Sequence, residues 1–414
     1  MRGTLLSGVQ RGLFAVPLLV LACVAYVAIA LPPSMLGVVW PSMRTTFHEP
    51  VGALGLLLPF AITAEIVSSA CSARVIARLG VGPLLAASIA LSAVAQTVFS
   101  MAPSLWVVAG GLVLGGTAFG LIDSGLNAFA AEHLDAREIN WMHASYGLGA
   151  VCGPLLVTLL PGTGASWRWA YAILALVMVA AACAFTLTVR RWRSAPTRPP
   201  VAGRPSPLPA PIQRSLVAAI VVGVLIVAVQ AGIEAGISLW GFVFLSAGRG
   251  LPQRVAGLTV AAYWGAIFIG RILLGTVAQR LGPERVLLGA IAGELVGTAV
   301  MAVPGSGLVA AAGMIVVGLA AAPVFPLLTL TTGDRVGEDH ATRTVTFQVA
   351  ASAAGGAGLP AGMGLLIGAL SGGAVAPALL VLAVALCALG AVSMAQSRRR
   401  VTRVTPHAAR NKEE

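Results

Sequence analysis

Five ionisable side chains lie within otherwise apolar segments of the chain: Glu65, Asp123, Glu234, Arg271 and Glu294. A charge in hydrocarbon costs several kcal/mol unless it is paired or faces water, so such residues often mark the paths of ions, protons or substrates. A carboxyl group that takes up and releases a proton can carry protons through an apolar layer. For each residue the alternative is a structural hydrogen bond or ion pair between helices.

Asp123 is the first candidate for proton coupling. Asn127 follows it by one helical turn, so both side chains project from one face of a helix. Gly116 and Gly120 continue the same stripe and leave room for a neighbouring helix or for a ligand. We therefore predict that Asp123 binds the coupling proton and that Asn127 contacts the solute.

Two further acids are candidates for the same chemistry. Glu234 has Gln230 one turn before it and Ser238 one turn after it, which makes a polar stripe that could bind a proton or hydroxyl groups. Glu65 is the third proton-coupling candidate, and its alternative role is pairing with a residue of the opposite half of the chain.

Three other residues are expected to have structural or gating roles. Arg271 is expected to pair with an acid such as Glu294 or Glu65 in one conformational state. Glu294 lies in a peripheral helix of the predicted arrangement, so we expect it to make an interhelical contact. His143 begins the fifth predicted helix, where a lone histidine more often caps or gates than relays protons.

Aromatic and amide side chains define the predicted solute site. Aromatic faces pack against the C–H edges of sugars while polar groups bind the hydroxyls. This pattern favours a neutral, hydroxylated solute, although ordinary packing is the alternative for any one residue. The predicted solute-binding set is Tyr26, Asn127, Tyr146, Gln230, Glu234, Trp240, Trp264, Phe325 and Gln348.

The composition predicts an all-α membrane protein. Hydrophobic residues make up 58% of the chain and charged residues 10%, whereas a soluble chain carries roughly a quarter of charged residues. Apolar runs of about twenty residues, the length that a bilayer core requires, follow one another. The twelve predicted transmembrane helices are Leu13–Met35, Val51–Ala73, Val81–Ser100, Ser104–Ala130, Asn140–Leu160, Ser166–Val189, Ser215–Leu245, Val255–Ala278, Arg285–Val303, Leu308–Leu330, Thr342–Leu370 and Gly373–Met394.

The basic residues predict the orientation in the membrane. All but five of the 26 Lys and Arg residues fall on one side when the N-terminus is cytoplasmic, and cytoplasmic loops are enriched in these residues. We therefore expect a multi-pass protein of the cell inner (plasma) membrane with both termini in the cytoplasm. Tryptophans are expected to form interfacial belts, with Trp40, Trp106, Trp167, Trp169 and Trp240 at the outer side and Trp141 and Trp192 at the inner side.

The N-terminal segment has some features of a signal peptide. Arg2 and Arg11 precede an apolar stretch that reaches Ala28-Ile29-Ala30, a sequence of the cleavage-site type. The apolar stretch is long for a signal peptide, and we expect the first helix to remain uncleaved.

A segment rich in proline and arginine divides the chain, because its prolines oppose a helix. The predicted domains are a six-helix half (1–189), a cytoplasmic linker (190–214), a second six-helix half (215–396) and a basic cytoplasmic tail (397–414) that is expected to be disordered near anionic lipid. Two short sequence repeats, called echoes below, relate the halves. Ala77-Arg78-Leu79-Gly80 matches Gln279-Arg280-Leu281-Gly282, and Gly149, Gly153 and Pro154 match Gly355, Gly356 and Pro360.

Four stretches carry a family resemblance: 116–129, 143–154, 232–240 and 323–326. With them, the chain resembles the major facilitator superfamily over nearly its whole length, and within it the branch of the fucose–proton symporter and sugar permeases. The resemblance implies two pseudo-symmetric six-helix bundles and a proton-coupling carboxylate at Asp123. Gating or structural roles are assigned on this basis to Arg78, His143, Pro154, Arg271 and Arg280.

The chain also departs from the family pattern. Ala77 and Gln279 stand where the loop after the second helix of each half usually has an aspartate. The first predicted helix contains no acid, whereas the fucose symporter has one there. Glu65 is our candidate to replace it.

We predict a secondary active transporter that works by alternating access, and not an enzyme. The first interpretation is proton-coupled uptake of a sugar-like or other neutral polar compound. Drug or metabolite efflux is the alternative within transport, and a non-transporting membrane sensor or scaffold is the alternative of another class. A GxxxxGK[ST] nucleotide-binding motif does not occur, which favours a gradient as the energy source. The expected partners are a small-molecule substrate, protons and the lipid bilayer, without nucleic acid, cofactor or metal, and the protein is expected to be a monomer.

Overall fold

The computed structural model describes residues 2–160, 167–193 and 214–410. These residues form helices and turns, and they contain no β-strand. The helices are α1 (Arg2–Phe47), α2 (Ala53–Leu79), α3 (Val81–Met101), α4 (Leu105–His133), α5 (Ala136–Leu159), α6 (Trp167–Arg193), α7 (Arg214–Val243), α8 (Gln253–Leu281), α9 (Pro283–Ala302), α10 (Gly307–Ala321), α11 (Val324–Leu330), α12 (Thr332–Val336), α13 (Glu338–Ala369) and α14 (Val375–Arg410).

Twelve stretches of the described residues are long and apolar enough to cross a membrane, as the sequence predicts. They correspond to α1–α9, to α10 with α11, and to α13 and α14. The largest difference is in α1, which begins at Arg2 and ends at Phe47 instead of running from Leu13 to Met35. Pro32 and Pro33 lie inside it, because a proline that removes a backbone donor is tolerated in a membrane helix whose neighbours satisfy the freed groups.

The predicted linker and tail differ from the structure at their described residues. Helix α6 includes 190–193 and α7 begins at Arg214, so both edges of the predicted linker are helical. The rest of the linker, 194–213, lies outside the described residues. The prediction of a disordered tail is wrong as far as Arg410, because α14 continues to that residue. Arginine is a good helix former, and the arginines at 398–400 and 403 extend a helix that the membrane segment has already nucleated.

The helices pack into two compact units. Unit 1 contains the described residues of Met1–Ala202 together with Pro252–Gly265, and unit 2 contains those of Gly203–Leu251 together with Ala266–Glu414. In unit 1, α1 packs on α5, α2 on α4, and α3 on α4 and α6. In unit 2, α7 packs on α13 and α14, and α9 packs on α10 and α14.

Glycines allow the closest of these helix pairs. A methyl group at Gly149 would overlap the carbonyl oxygen of Val27, which brings α5 against α1. A methyl group at Gly355 would overlap the carbonyl oxygen of Ala228, which brings α13 against α7 in the same manner. Small residues let membrane helices approach through their backbones. The glycine echo predicted from the sequence therefore lies at equivalent helix pairs of the two units.

The second echo is a repeated turn. Helix α2 ends at Leu79, and Gly80 follows with φ 83° while its N–H donates to the Ile76 carbonyl at 2.8 Å. Helix α8 ends at Leu281, and Gly282 follows with φ 89° and an equivalent bond to Ala278 at 3.0 Å. Only glycine takes such positive φ values without strain, so the sequence echo marks a conformational requirement.

The prediction of tryptophan belts is wrong for four residues. Trp106, Trp169 and Trp141 are 78%, 62% and 48% exposed, as belt residues should be. Four others are buried, and the indole N–H of each donates to an acceptor among the described residues: Trp40, Trp167, Trp192 and Trp240.

Candidate functional site

A hydrogen-bonded network in unit 1 joins α1 to α4. The Tyr26 hydroxyl donates to Asp123 Oδ1 at 2.8 Å. The Asn127 amide donates to the Tyr26 hydroxyl at 3.1 Å and to the Asp123 carbonyl at 2.9 Å. Tyr26 is 2% exposed, whereas Asp123 and Asn127 are half-buried. The carboxylate is therefore positioned from one side by a buried phenol and accessible from the other.

His143 and Glu65 complete the surroundings of Asp123. The His143 ring meets the Tyr26 ring edge-on at 5.0 Å between centroids, and His143 lies within electrostatic range of Asp123. Glu65, which is half-buried on α2, also lies within electrostatic range of Asp123. Unit 1 thus brings together the predicted residues Tyr26, Asp123, Asn127, His143 and Glu65.

The glycine stripe on α4 is covered by α2. A methyl group at Gly116 would overlap the carbonyl oxygen of Ala61, and one at Gly120 would overlap the hydroxyl of Ser68. The Ser69 hydroxyl donates to the Gly120 carbonyl at 3.2 Å. Of the two uses proposed for the stripe, the structure shows close approach of a helix. That approach carries Glu65 toward Asp123.

Aromatic side chains extend the unit 1 site. Tyr146 lies edge-on to Phe119 at 6.4 Å and to Trp264 at 6.5 Å between ring centroids, and it lies within electrostatic range of Tyr26. Trp264 is 6% exposed, and its indole N–H has no hydrogen-bond partner among the described residues. A buried donor of this kind is costly to leave unpaired, so it is available to a polar ligand.

Unit 2 contains an ion pair. Arg271 Nη2 lies 3.9 Å from Glu234 Oε1, with side chains 34% and 25% exposed. Arg271 thus pairs with an acid, as expected, but in this structure the acid is Glu234, and pairing with Glu294 or Glu65 in another conformational state stays a prediction. Sequence separation alone could not choose among the acids, because the partner depends on how each helix is rotated about its axis.

Glu294 is buried beside α7, and its expected role in an interhelical contact stays a prediction. It is 0% exposed on α9, and Gln230 on α7 is 2% exposed. The two side chains lie beside each other, yet neither the carboxyl oxygens nor the amide atoms have a partner in hydrogen-bond geometry among the described residues. The sequence indicated this site only through the presence of an acid within an apolar segment.

The other predicted solute contacts lie elsewhere in unit 2. Trp240 is fully buried, and its indole N–H donates to the Pro360 carbonyl at 2.8 Å, which fastens α7 to α13. Gln348 is 2% exposed and accepts from the Thr332 hydroxyl at 3.2 Å. Phe325 lies on α11 and is 36% exposed. Their roles in solute binding stay predictions.

The predicted gating residues lie at helix ends and at one proline. Arg78 and Arg280 are exposed in the last turns of α2 and α8. Pro154 lies inside α5, where its carbonyl accepts from Thr158 at 2.7 Å.

One charged residue outside the membrane spans is buried, which the sequence analysis did not predict. Arg335 on the short helix α12 is 9% exposed, and its Nη1 has no partner among the described residues. Burial lowers the pKa of Arg335, and the charges of Glu284 and Asp334 oppose that change.

Twelve apolar helices with acids held inside them define a multi-pass membrane protein of the transporter class. The chain belongs to the Major Facilitator Superfamily, which it matches over residues 18–360. This membership confirms the predicted fold.

Individual relatives are distant. The chain is 31% identical to the tetracycline resistance protein, class G, of Vibrio anguillarum over 153 residues, which are 35% of this chain and 39% of that relative. The match thus spans well under half of that relative. Among solved structures, a peptide transporter has a TM-score of 0.73 at 14% identity, covering 92% of this chain and 94% of its own. A nucleoside transporter has a TM-score of 0.70 at 16% identity, covering 91% and 98%. Identities this low show a shared fold alone.

Proposed function

We propose that the protein is a proton-coupled secondary transporter of a small, neutral, polar solute, working by alternating access in the cell inner membrane. The observation that carries this proposal is the network of Tyr26, Asp123 and Asn127 within unit 1. The accessible side of the carboxylate can accept a proton. Its other side is bonded to a phenol on a second helix, so protonation can change the contact between the two helices.

The coupling follows from the bond between Tyr26 and Asp123. An ionised carboxylate accepts a strong, charge-assisted hydrogen bond from the phenol. Protonation removes that charge and weakens the bond, so the contact between α1 and α4 depends on whether a proton is bound. Membrane helices that change contact with protonation are the bistable elements that a coupled transporter requires.

The donors and aromatic faces near this network support a hydroxylated solute. The unpaired indole N–H of Trp264 offers a donor, and Tyr146 offers an aromatic face beside it. The half-buried amide of Asn127 adds a polar group. Sugar-like compounds combine C–H edges with hydroxyls and match this set, so uptake of such a compound is the first form of the proposal.

Efflux is the second candidate, because the tetracycline resistance protein is a relative over part of the chain. Its substrate would be larger and more apolar than a sugar. Direction decides between the two. Inside-out vesicles that accumulate a compound when a proton gradient is imposed would favour efflux, and accumulation by right-side-out vesicles would favour uptake.

The first prediction tests the coupling role of Asp123. Asp123→Asn should abolish accumulation against a gradient while retaining solute exchange, because the amide keeps the size of the carboxyl but cannot carry a proton. Accumulation and counterflow in proteoliposomes measure the two properties for a solute first identified by thermal-shift screening of sugars, polyols and drugs.

Glu132→Gln is the matched control, because Glu132 is an exposed acid on the same helix. It should leave accumulation unchanged. Accumulation that survives in Asp123→Asn would remove Asp123 from the coupling scheme. An absence of flux for every compound that shifts the thermal stability would favour a sensor or scaffold.

A further inference from the structure

The most enclosed acid of the described chain lies in unit 2, away from the network of Asp123. Glu294 is 0% exposed in the middle of α9, and both its carboxyl oxygens are buried without a hydrogen bond. The nearest hydroxyl along its helix, that of Thr298, donates to backbone carbonyls instead, including that of Glu294 at 2.8 Å. An ionised carboxylate in such surroundings is very costly.

The side chain next to Glu294 is equally unsatisfied. Gln230 reaches it from α7, is 2% exposed, and has neither its amide oxygen nor its amide nitrogen in a hydrogen bond. A protonated carboxyl group has one donor and one acceptor, and so has the facing edge of an amide. A small rotation of either side chain would therefore satisfy both groups, provided that Glu294 carries a proton.

The charges that face Glu294 are few. Helix α7 brings Glu234, and α14 brings the Cys387 thiol, which contacts the Ile291 carbonyl at 3.6 Å. The sequences of α10 and α11 contain no titratable residue. Helix α8 brings Arg271, which lies on Glu234. The remaining basic residues within the unit 2 spans lie in the first two turns of their helices: Arg285, His340 and Arg343.

We propose that Glu294 is a second proton-binding site, which holds a proton at neutral pH and exchanges it with Glu234. The exchange breaks the O–H bond of Glu294 and forms one on the Glu234 carboxylate. Before and after the step, Arg271 and the two acids together carry no net charge. Such a transfer moves the negative charge away from Arg271 and so loosens the ion pair. The net charge of the three groups stays zero, but an ionised Glu294 is costly, so this state is transient.

The inference deepens the proposed proton-coupled transport and rests on it for its role: a second proton would move with each solute. The protonated state of Glu294 itself can be observed without transport. We would record infrared difference spectra of the full-length protein in nanodiscs at pH 7, following the carbonyl stretch of protonated carboxyl groups and its shift in D₂O.

Glu294→Gln should remove one protonated-carboxyl band while leaving the thermal unfolding temperature nearly unchanged, since the amide is neutral and of the same shape. Glu284→Gln, an exposed acid on the same helix, is the matched control and should remove none. An unchanged spectrum in a folded Glu294→Gln protein would overturn the proposal. If that variant fails to fold, loss of the band in Gln230→Leu, which removes the amide partner but not the acid, would also overturn it.

Two further measurements separate the possible failures. Sodium or potassium chloride that removes the band from the wild-type protein at pH 7 would identify a metal-cation site and contradict the proton assignment. In proteoliposomes, the number of protons per solute should fall by one in Glu294→Gln. If no compound shows flux while the Glu294 band behaves as expected, the transport proposal fails and the proton site stands.

Discussion

The phenol of Tyr26 has two partners in one network, because its hydroxyl donates to Asp123 and accepts from Asn127. A buried hydroxyl that satisfies both of its bonds holds two helices in one register. Asp123 and Asn127 could be placed on one helical face from their spacing. Tyr26 was predicted as a solute contact, and its bond to Asp123 was not foreseen, since contacts between distant segments depend on helix rotation.

Tyr26→Phe should slow proton-coupled accumulation several-fold and lower the unfolding temperature. It removes a hydrogen bond to a carboxylate, which is worth about 1.5–3 kcal/mol. Accumulation assays and thermal unfolding measure both effects. Tyr171→Phe is the control, because the Tyr171 ring stacks on Phe99 at 4.7 Å and this contact survives the loss of the hydroxyl. Equal effects of the two substitutions would show that the Tyr26 hydroxyl has no special role.

Trp264→Phe should weaken solute binding and leave proton binding intact. The substitution keeps an aromatic ring but removes the indole N–H, a donor worth about 1 kcal/mol when a neutral ligand accepts it. We expect KM, measured from initial uptake rates, to rise about five-fold. The unfolding temperature, measured by thermal unfolding, should change little. Trp106→Phe, at a 78% exposed position, is the control. An unchanged KM in Trp264→Phe would place the solute elsewhere.

At the scale of helices, the number of membrane spans and their apolar character could be predicted from the sequence. The contacts between residues on different helices could not. Hydropathy and length were enough for twelve spans, because each span must satisfy its own backbone in lipid. Helix ends were less predictable: α1 passes through Pro32 and Pro33, and α14 continues to Arg410. The partner of Arg271 and the burial of Glu294 depend on packing, which no local pattern encodes.

Glycine positions on one helix make a matched test of packing. Gly355→Ala should destabilise the protein by about 1–3 kcal/mol, because the methyl group would overlap the Ala228 carbonyl and force α13 away from α7. Gly358→Ala, where nothing lies within 4 Å, should be neutral or stabilising by about 0.5–1 kcal/mol. Thermal unfolding of both variants measures the difference. A more stable Gly355→Ala protein would contradict the close approach of the two helices.

At the scale of the whole molecule, the distribution of basic residues predicts the topology. In a cysteine-free background, Arg254→Cys should react with an impermeant thiol reagent added outside intact cells. Arg280→Cys should react only after the membrane is opened. Both positions are exposed and lie near opposite ends of α8, so they are matched in access. Labelling of Arg280→Cys from outside would reverse the predicted orientation.

The paired turns at Gly80 and Gly282 have a historical consequence. The same left-handed residue closes the second helix of each set of six, with the same backbone bond behind it. Tandem duplication of an ancestral gene for six helices would have required this turn to arise only once. Afterwards the two copies could diverge widely in their apolar faces, where many side chains serve equally well. The turn position accepts glycine alone, so both copies retained glycine there.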